Sequence, residues 1–126
     1  MILAADFIAN FHRTWSPVVL IYAVLMALWG LFLFFRKIEP TGSYLGALVI
    51  AEGVVIVQGL LGIVLLIQGH RPADKLHYLY GLVALLALPA GYLYTKNGTV
   101  KGASLILGLA SIFLVGVAVR AITTGG

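Results

Sequence analysis

Four apolar blocks, residues 17–35, 45–67, 76–93 and 103–119, take up most of this 126-residue chain. Each is close to the roughly 20 residues that cross a bilayer core as a helix. Their polarity does not alternate from residue to residue, which excludes the strands of a membrane barrel. The chain is 62% hydrophobic and 10% charged, whereas soluble domains are about half apolar and a quarter charged. A soluble fold this small leaves too much surface exposed to hide so many apolar side chains. The reading is a single domain over residues 1–126: an all-α, integral membrane four-helix up-down bundle, with spans at about 17–35, 45–67, 76–93 and 103–121.

The segments between the blocks suggest how the helices start and stop. The opening MILAADFIANFHR lacks the basic start and the cleavage site of a signal peptide. Leu3, Ala4, Phe7, Ile8 and Phe11 share one helical face, with Asp6, Asn10 and Arg13 elsewhere. That pattern predicts a short N-terminal interfacial helix. Ser16 is placed to cap the first span, with Pro17 at its first position. Ser43 is placed to cap the second, and Gly69 to end it. Pro72 falls near the start of the third span, Pro89 inside it is expected to bend it, and Gly98 follows its end.

Short loops make consecutive helices antiparallel neighbours, so both termini and the second loop share one side. That side holds Arg13, Arg71, Lys75 and Arg120; the other holds Arg36, Lys37, Lys96 and Lys101. Arg120 lies within its helix and counts less. The positive-inside rule then places the termini on the periplasmic side of a bacterial cytoplasmic membrane.

Cysteine is absent, which excludes disulfides, iron–sulfur ligation and covalent c-type haem. No RNA-binding motif or basic stripe points to nucleic acid. The net charge of +4 suits anionic lipid headgroups. Stripes of small residues (Ala23, Ala27 and Gly30; Gly59, Gly62 and Gly69; Gly81, Ala84 and Gly91; Ser104, Gly108, Ser111 and Ala118) suit close helix packing, within the chain or against other membrane subunits. FHRTWSPVVL and LHYLYGLVAL each place a histidine, then an aromatic three residues on, before a span. They hint at two duplicated hairpins.

Two sets of polar residues stand out. Glu52 lies deep within the second span, at a depth shared by Ser111, where an ionisable group is costly and marks a functional hypothesis. A plain structural role, with the carboxyl hydrogen-bonded between helices, competes with proton handling. Nearer the membrane edge, Gln58, His77, Tyr80, Tyr22 and Arg120 fall within two helical turns of depth. His77, paired with His12 or His70, is a candidate ligand set for haem b, and the same groups can hydrogen-bond a quinone. Ordinary interfacial anchoring explains the same residue types.

Gln58, Leu61, Gly62, Gly69, Leu76 and His77 (Q-x-x-L-G…G…L-H) resemble the last helix hairpin of a heme A synthase half-domain, over residues 50–90. The resemblance implies a haem-ligand role for His77 and a chain equivalent to one of that family's two four-helix halves. Two functions follow as expectations. One is a non-catalytic accessory subunit of a larger bacterial membrane complex for respiratory or photosynthetic electron transfer. The other is a redox protein binding b-haem or quinone through His77, His12 or His70, Gln58 and Arg120.

Overall fold

The structure, a computed structural model, describes residues 2–98 and 102–125, and side chains from residue 6 onward. Lys101, counted above among the loop cations, lies outside the described residues. Four helices follow one another: α1 (Ile2–Phe35), α2 (Gly42–Ile67), α3 (Leu76–Thr95) and α4 (Ala103–Gly125). All four are long and apolar enough to span a membrane, and the described residues contain no strand. The protein is a four-helix multi-pass membrane bundle.

Several helix boundaries differ from expectation. The N-terminal segment is helical, but it joins the first span without a break. At 34 residues, α1 is roughly 50 Å long, well beyond the bilayer core. Ser16 therefore caps nothing: its hydroxyl donates to the carbonyl of His12 one turn back, at 3.2 Å. Pro17 sits inside the helix, where its missing N–H leaves the Arg13 carbonyl without its usual partner. α2 is capped by Thr41, whose hydroxyl accepts from the Tyr44 amide at 3.2 Å, and not by Ser43. α3 starts at Leu76, not near Pro72, and Asp74 Oδ1 accepts from the Leu76 amide at 2.9 Å. α3 then runs unbroken through Pro89.

The stops were better foreseen. Gly69 has φ +91, the left-handed position that closes a helix most cheaply with glycine. Gly98 does the same after α3, with φ +69. α1 ends on Lys37 at φ 58, a conformation costly for a side chain with a Cβ.

α4 packs along both α1 and α3, and α1 packs along α2. The α2–α3 seam is the thinnest of the four. Among the described residues, α1 faces α3 and α2 faces α4 only diagonally, across the bundle centre. The core runs through Ala23, Met26, Tyr44, Ala51, Leu88, Leu107 and Leu114. Tyr44 is its largest fully enclosed side chain. Its hydroxyl donates to the Met26 carbonyl at 3.3 Å, and Trp29 meets its ring edge-on at 5.3 Å. Most other large apolar side chains, such as Leu28, Val49, Leu60 and Phe113, point outward, as a lipid-facing surface requires.

Candidate functional site

The polar residues converge at the end of the bundle that carries the N-terminal segment, the α2–α3 loop and the end of α4. His12 on α1 and His77 on α3 are half-buried and face each other across the diagonal. Their ring centres are 6.2 Å apart and their planes nearly perpendicular, at 81°. Neither histidine is near the other in sequence; the up-down topology brings them together.

The His77 ring is positioned by a neighbouring helix. His77 Nδ1 lies 2.8 Å from the carbonyl oxygen of Ala121 on α4. A carbonyl can only accept, so Nδ1 carries a proton in this contact. The Thr124 hydroxyl oxygen stands 3.4 Å from the same nitrogen while donating to the Arg120 carbonyl at 2.7 Å. The Asp74 amide donates to the Thr124 carbonyl at 3.0 Å, which ties the α2–α3 loop to the end of α4. Gly125 lies against the imidazole, since a Cβ there would stand 2.9 Å from His77 Cε1.

His12 is held through its backbone. Gln58 Nε2, reaching from α2, donates to the His12 carbonyl at 2.9 Å and to the Ser16 hydroxyl at 3.0 Å. One turn further along α1, Trp15 Nε1 donates to the Val54 carbonyl at 2.8 Å. These bonds fix α1 against α2 around the site. Two buried atoms here have no partner among the described residues: His12 Nδ1 and Gln58 Oε1. Burying such a group unpaired costs roughly 1–3 kcal/mol.

Two glycines stand against the rings, Gly62 at His12 and Gly125 at His77. A Cβ on Gly62 would meet only His12 Cε1, at 3.5 Å, and one on Gly59 or Gly81 would meet nothing within 4 Å. Ala118 lies buried one turn from Ala121 on α4.

The other sequence candidates fall outside this cluster. His70 is exposed in the loop after Gly69, its amide donating to the Leu65 carbonyl at 2.9 Å. Arg120 is also exposed, and its guanidinium stacks over the Tyr80 ring at 5.5 Å. Ser111 is buried, and its hydroxyl donates to the Leu107 carbonyl one turn back at 2.9 Å. Glu52 is half-buried on α2, and its enclosed Oε1 has no hydrogen-bond partner among the described residues, so the expected interhelical bond at that oxygen is not made. Among the described residues, no three His, Cys, Asp or Glu side chains group closely enough to hold a metal ion by themselves.

Sequence reasoning missed Thr124 and the Ala121 carbonyl, having ended the fourth span at about residue 121. The usable signal was position: carbonyls near a helix C-terminus are short of intrahelical partners and attract donors. No model of a protein family, no curated protein and no solved structure matches this chain.

Proposed function

We propose that this chain is a small membrane-embedded electron-transfer protein that holds a b-type haem between His12 and His77. The observation that carries the reading is the 6.2 Å separation of the two rings across the bundle diagonal. An imidazole nitrogen sits about 2 Å from a metal it binds. Two rings on opposite faces of one ion therefore place their centres roughly 6 Å apart.

Three further features support it. The Nδ1–H of His77, given to the Ala121 carbonyl, is the outer bond that orients a ligating histidine and leaves Nε2 for the iron. The orphaned Nδ1 of His12 is a buried nitrogen that a metal bond would satisfy. Gly62 on α2 presents no side chain to the His12 ring, with His12 Cε1 3.5 Å from where a Cβ would stand. When bound, such a haem supplies a one-electron couple at its iron. The residues of the chain orient the His77 imidazole through the Ala121 carbonyl and hold the backbone that presents His12.

The test is an optical spectrum of the full chain purified from native membranes. A Soret band is expected, lost in both His12→Ala and His77→Ala and retained in His70→Ala. A colourless wild-type protein that also fails to take up added haemin would overturn the reading.

A second reading, an accessory subunit of a larger bacterial respiratory or photosynthetic complex, rests on a different observation. Gly46 and Gly53 share the outer face of α2, and a Cβ on either would meet nothing within 4 Å. Open small residues of this kind let a partner helix approach closely. Mild extraction followed by native mass spectrometry tests it: wild type should run with other membrane chains, and Gly53→Leu should run alone. Wild type running alone would count against it.

A further inference from the structure

At the same end of the bundle, Arg71, Pro72, Ala73, Lys75 and Tyr78 line a half-open hollow of about 380 Å³. It lies in the loop between α2 and α3, where the chain leaves the apolar spans. We propose that this hollow binds the phosphate of an anionic phospholipid headgroup.

Three observations meet there. The first is charge. Both cationic side chains of the segment 69–78 line the hollow, and the segment's acid, Asp74, is not among its lining residues. Asp74 is committed elsewhere: Oδ1 takes the Leu76 amide at 2.9 Å, and its own amide reaches the Thr124 carbonyl at 3.0 Å.

The second is preorganisation. Arg71 Nη1 donates to the Leu66 carbonyl at 3.1 Å and the His70 carbonyl at 3.3 Å. These bonds hold the guanidinium over the end of α2, and Nε and Nη2 make no bond among the described residues. A planar guanidinium held this way suits a phosphate diester, which accepts two parallel N–H bonds. Lys75 adds a point charge, and the Tyr78 hydroxyl adds a neutral donor at the depth where tyrosines favour the membrane interface.

The third is continuity with lipid. Leu76, Leu79 and Leu82 are exposed on α3 directly after the hollow. A phospholipid seated there keeps its phosphate among the cations and lays its chains along these leucines. A free phosphate ion gains nothing from them, and this favours a lipid over soluble phosphate as the source.

The experiment uses the full chain in nanodiscs of equal phosphatidylglycerol and phosphatidylcholine, with retained lipid counted by native mass spectrometry. Wild type should keep phosphatidylglycerol in preference. Each cation near a headgroup is worth roughly 1 kcal/mol, so Arg71→Gln/Lys75→Gln should lower that preference by roughly 30-fold. Arg36→Gln/Lys37→Gln, at the opposite end of the bundle, should leave it unchanged. Both pairs are exposed, so neither double variant removes core packing. An unchanged preference in Arg71→Gln/Lys75→Gln, or an equal loss in the control, would overturn the site. Displacement of the lipid by millimolar inorganic phosphate alone would overturn the lipid as its occupant.

Discussion

Gly30 on α1 and Gly108 on α4 touch backbone to backbone: a Cβ on Gly30 would stand 2.9 Å from Gly108 Cα and 2.6 Å from Tyr44 Oη. The same construction on Gly108 meets the Leu31 amide nitrogen at 3.2 Å. Between apolar helices in lipid, such contact supplies dispersion that the hydrophobic effect does not. Gly30→Ala should destabilise the bundle by about 1–3 kcal/mol through overlap. Gly53→Ala, on an open face, should cost nothing. Thermal unfolding in detergent, followed by circular dichroism, compares the two; equal midpoints would remove the α1–α4 seam as a close contact.

Tyr44 lies behind that seam with no exposed surface, and its hydroxyl is committed to the Met26 carbonyl. Tyr44→Phe removes one buried hydrogen bond and leaves a helical carbonyl that keeps its backbone partner. A loss of about 1 kcal/mol is expected. Tyr44→Ala also removes the ring on which Trp29 rests and should cost roughly 3–5 kcal/mol. The same unfolding measurement decides, and a Phe variant as damaged as the Ala variant would show that the hydroxyl, not the ring, dominates.

How much of this was legible in the sequence depends on the physics behind each feature. Spans followed from apolar run length, because lipid demands it whatever the neighbours are. Gly69 and Gly98 marked helix ends because φ near +70 to +90 is cheap only for glycine. Pro17 misled: a cap-then-proline pattern is the same locally whether a helix begins there or passes through, and the Gln58 and Trp15 bonds that hold α1 continuous come from α2. The choice between His12 and His70 as the neighbour of His77 was likewise undecidable locally. It turns on which helix lies across the diagonal, a tertiary fact. Gly62 was read as a helix-packing residue, and its neighbour on α1 is the His12 ring.

Glu52 offers a prediction that reverses the sequence expectation. Its enclosed Oε1 makes no hydrogen bond among the described residues, so replacement by an apolar side chain removes a desolvation cost without breaking a bond. Glu52→Leu should be as stable as wild type or more so, and Glu52→Gln should fall no higher than Glu52→Leu. Unfolding midpoints in matched lipid settle the order. A marked loss in Glu52→Leu would mean that the carboxyl has a partner in the membrane.

Gln58 makes the opposite case. Its amide donates to both the His12 carbonyl and the Ser16 hydroxyl, so it clamps the segment of α1 that presents His12. Gln58→Leu fills similar volume and breaks both bonds, with an expected cost of about 1–3 kcal/mol. Gln58→Glu loses the donors and adds a buried charge, and should cost more. Hydrogen exchange at residues 10–18 reads the local effect. Protection that stays at the wild-type level in Gln58→Leu would place the hold on α1 elsewhere, with Trp15 and the Val54 carbonyl as the remaining bond.

The end of α4 acts on His77 directly. Gly125 leaves no room for a side chain, since its Cβ would fall 2.9 Å from Cε1 and 3.2 Å from Nδ1 of the imidazole. Gly125→Ala must therefore move either the last turn of α4 or the ring. Moving the ring breaks the bond from Nδ1 to the Ala121 carbonyl and releases the tautomer it fixes. Gly116→Ala, on the same helix with nothing within 4 Å, is the matched control. Nitrogen-15 spectra of the histidine side chains separate the outcomes. His77 should show a protonated Nδ1 in wild type and in Gly116→Ala, and a mixture of tautomers in Gly125→Ala. An unchanged His77 signal in Gly125→Ala would mean that the helix end gives way instead, and that the ring is held by α3 and the Ala121 carbonyl without help from the glycine.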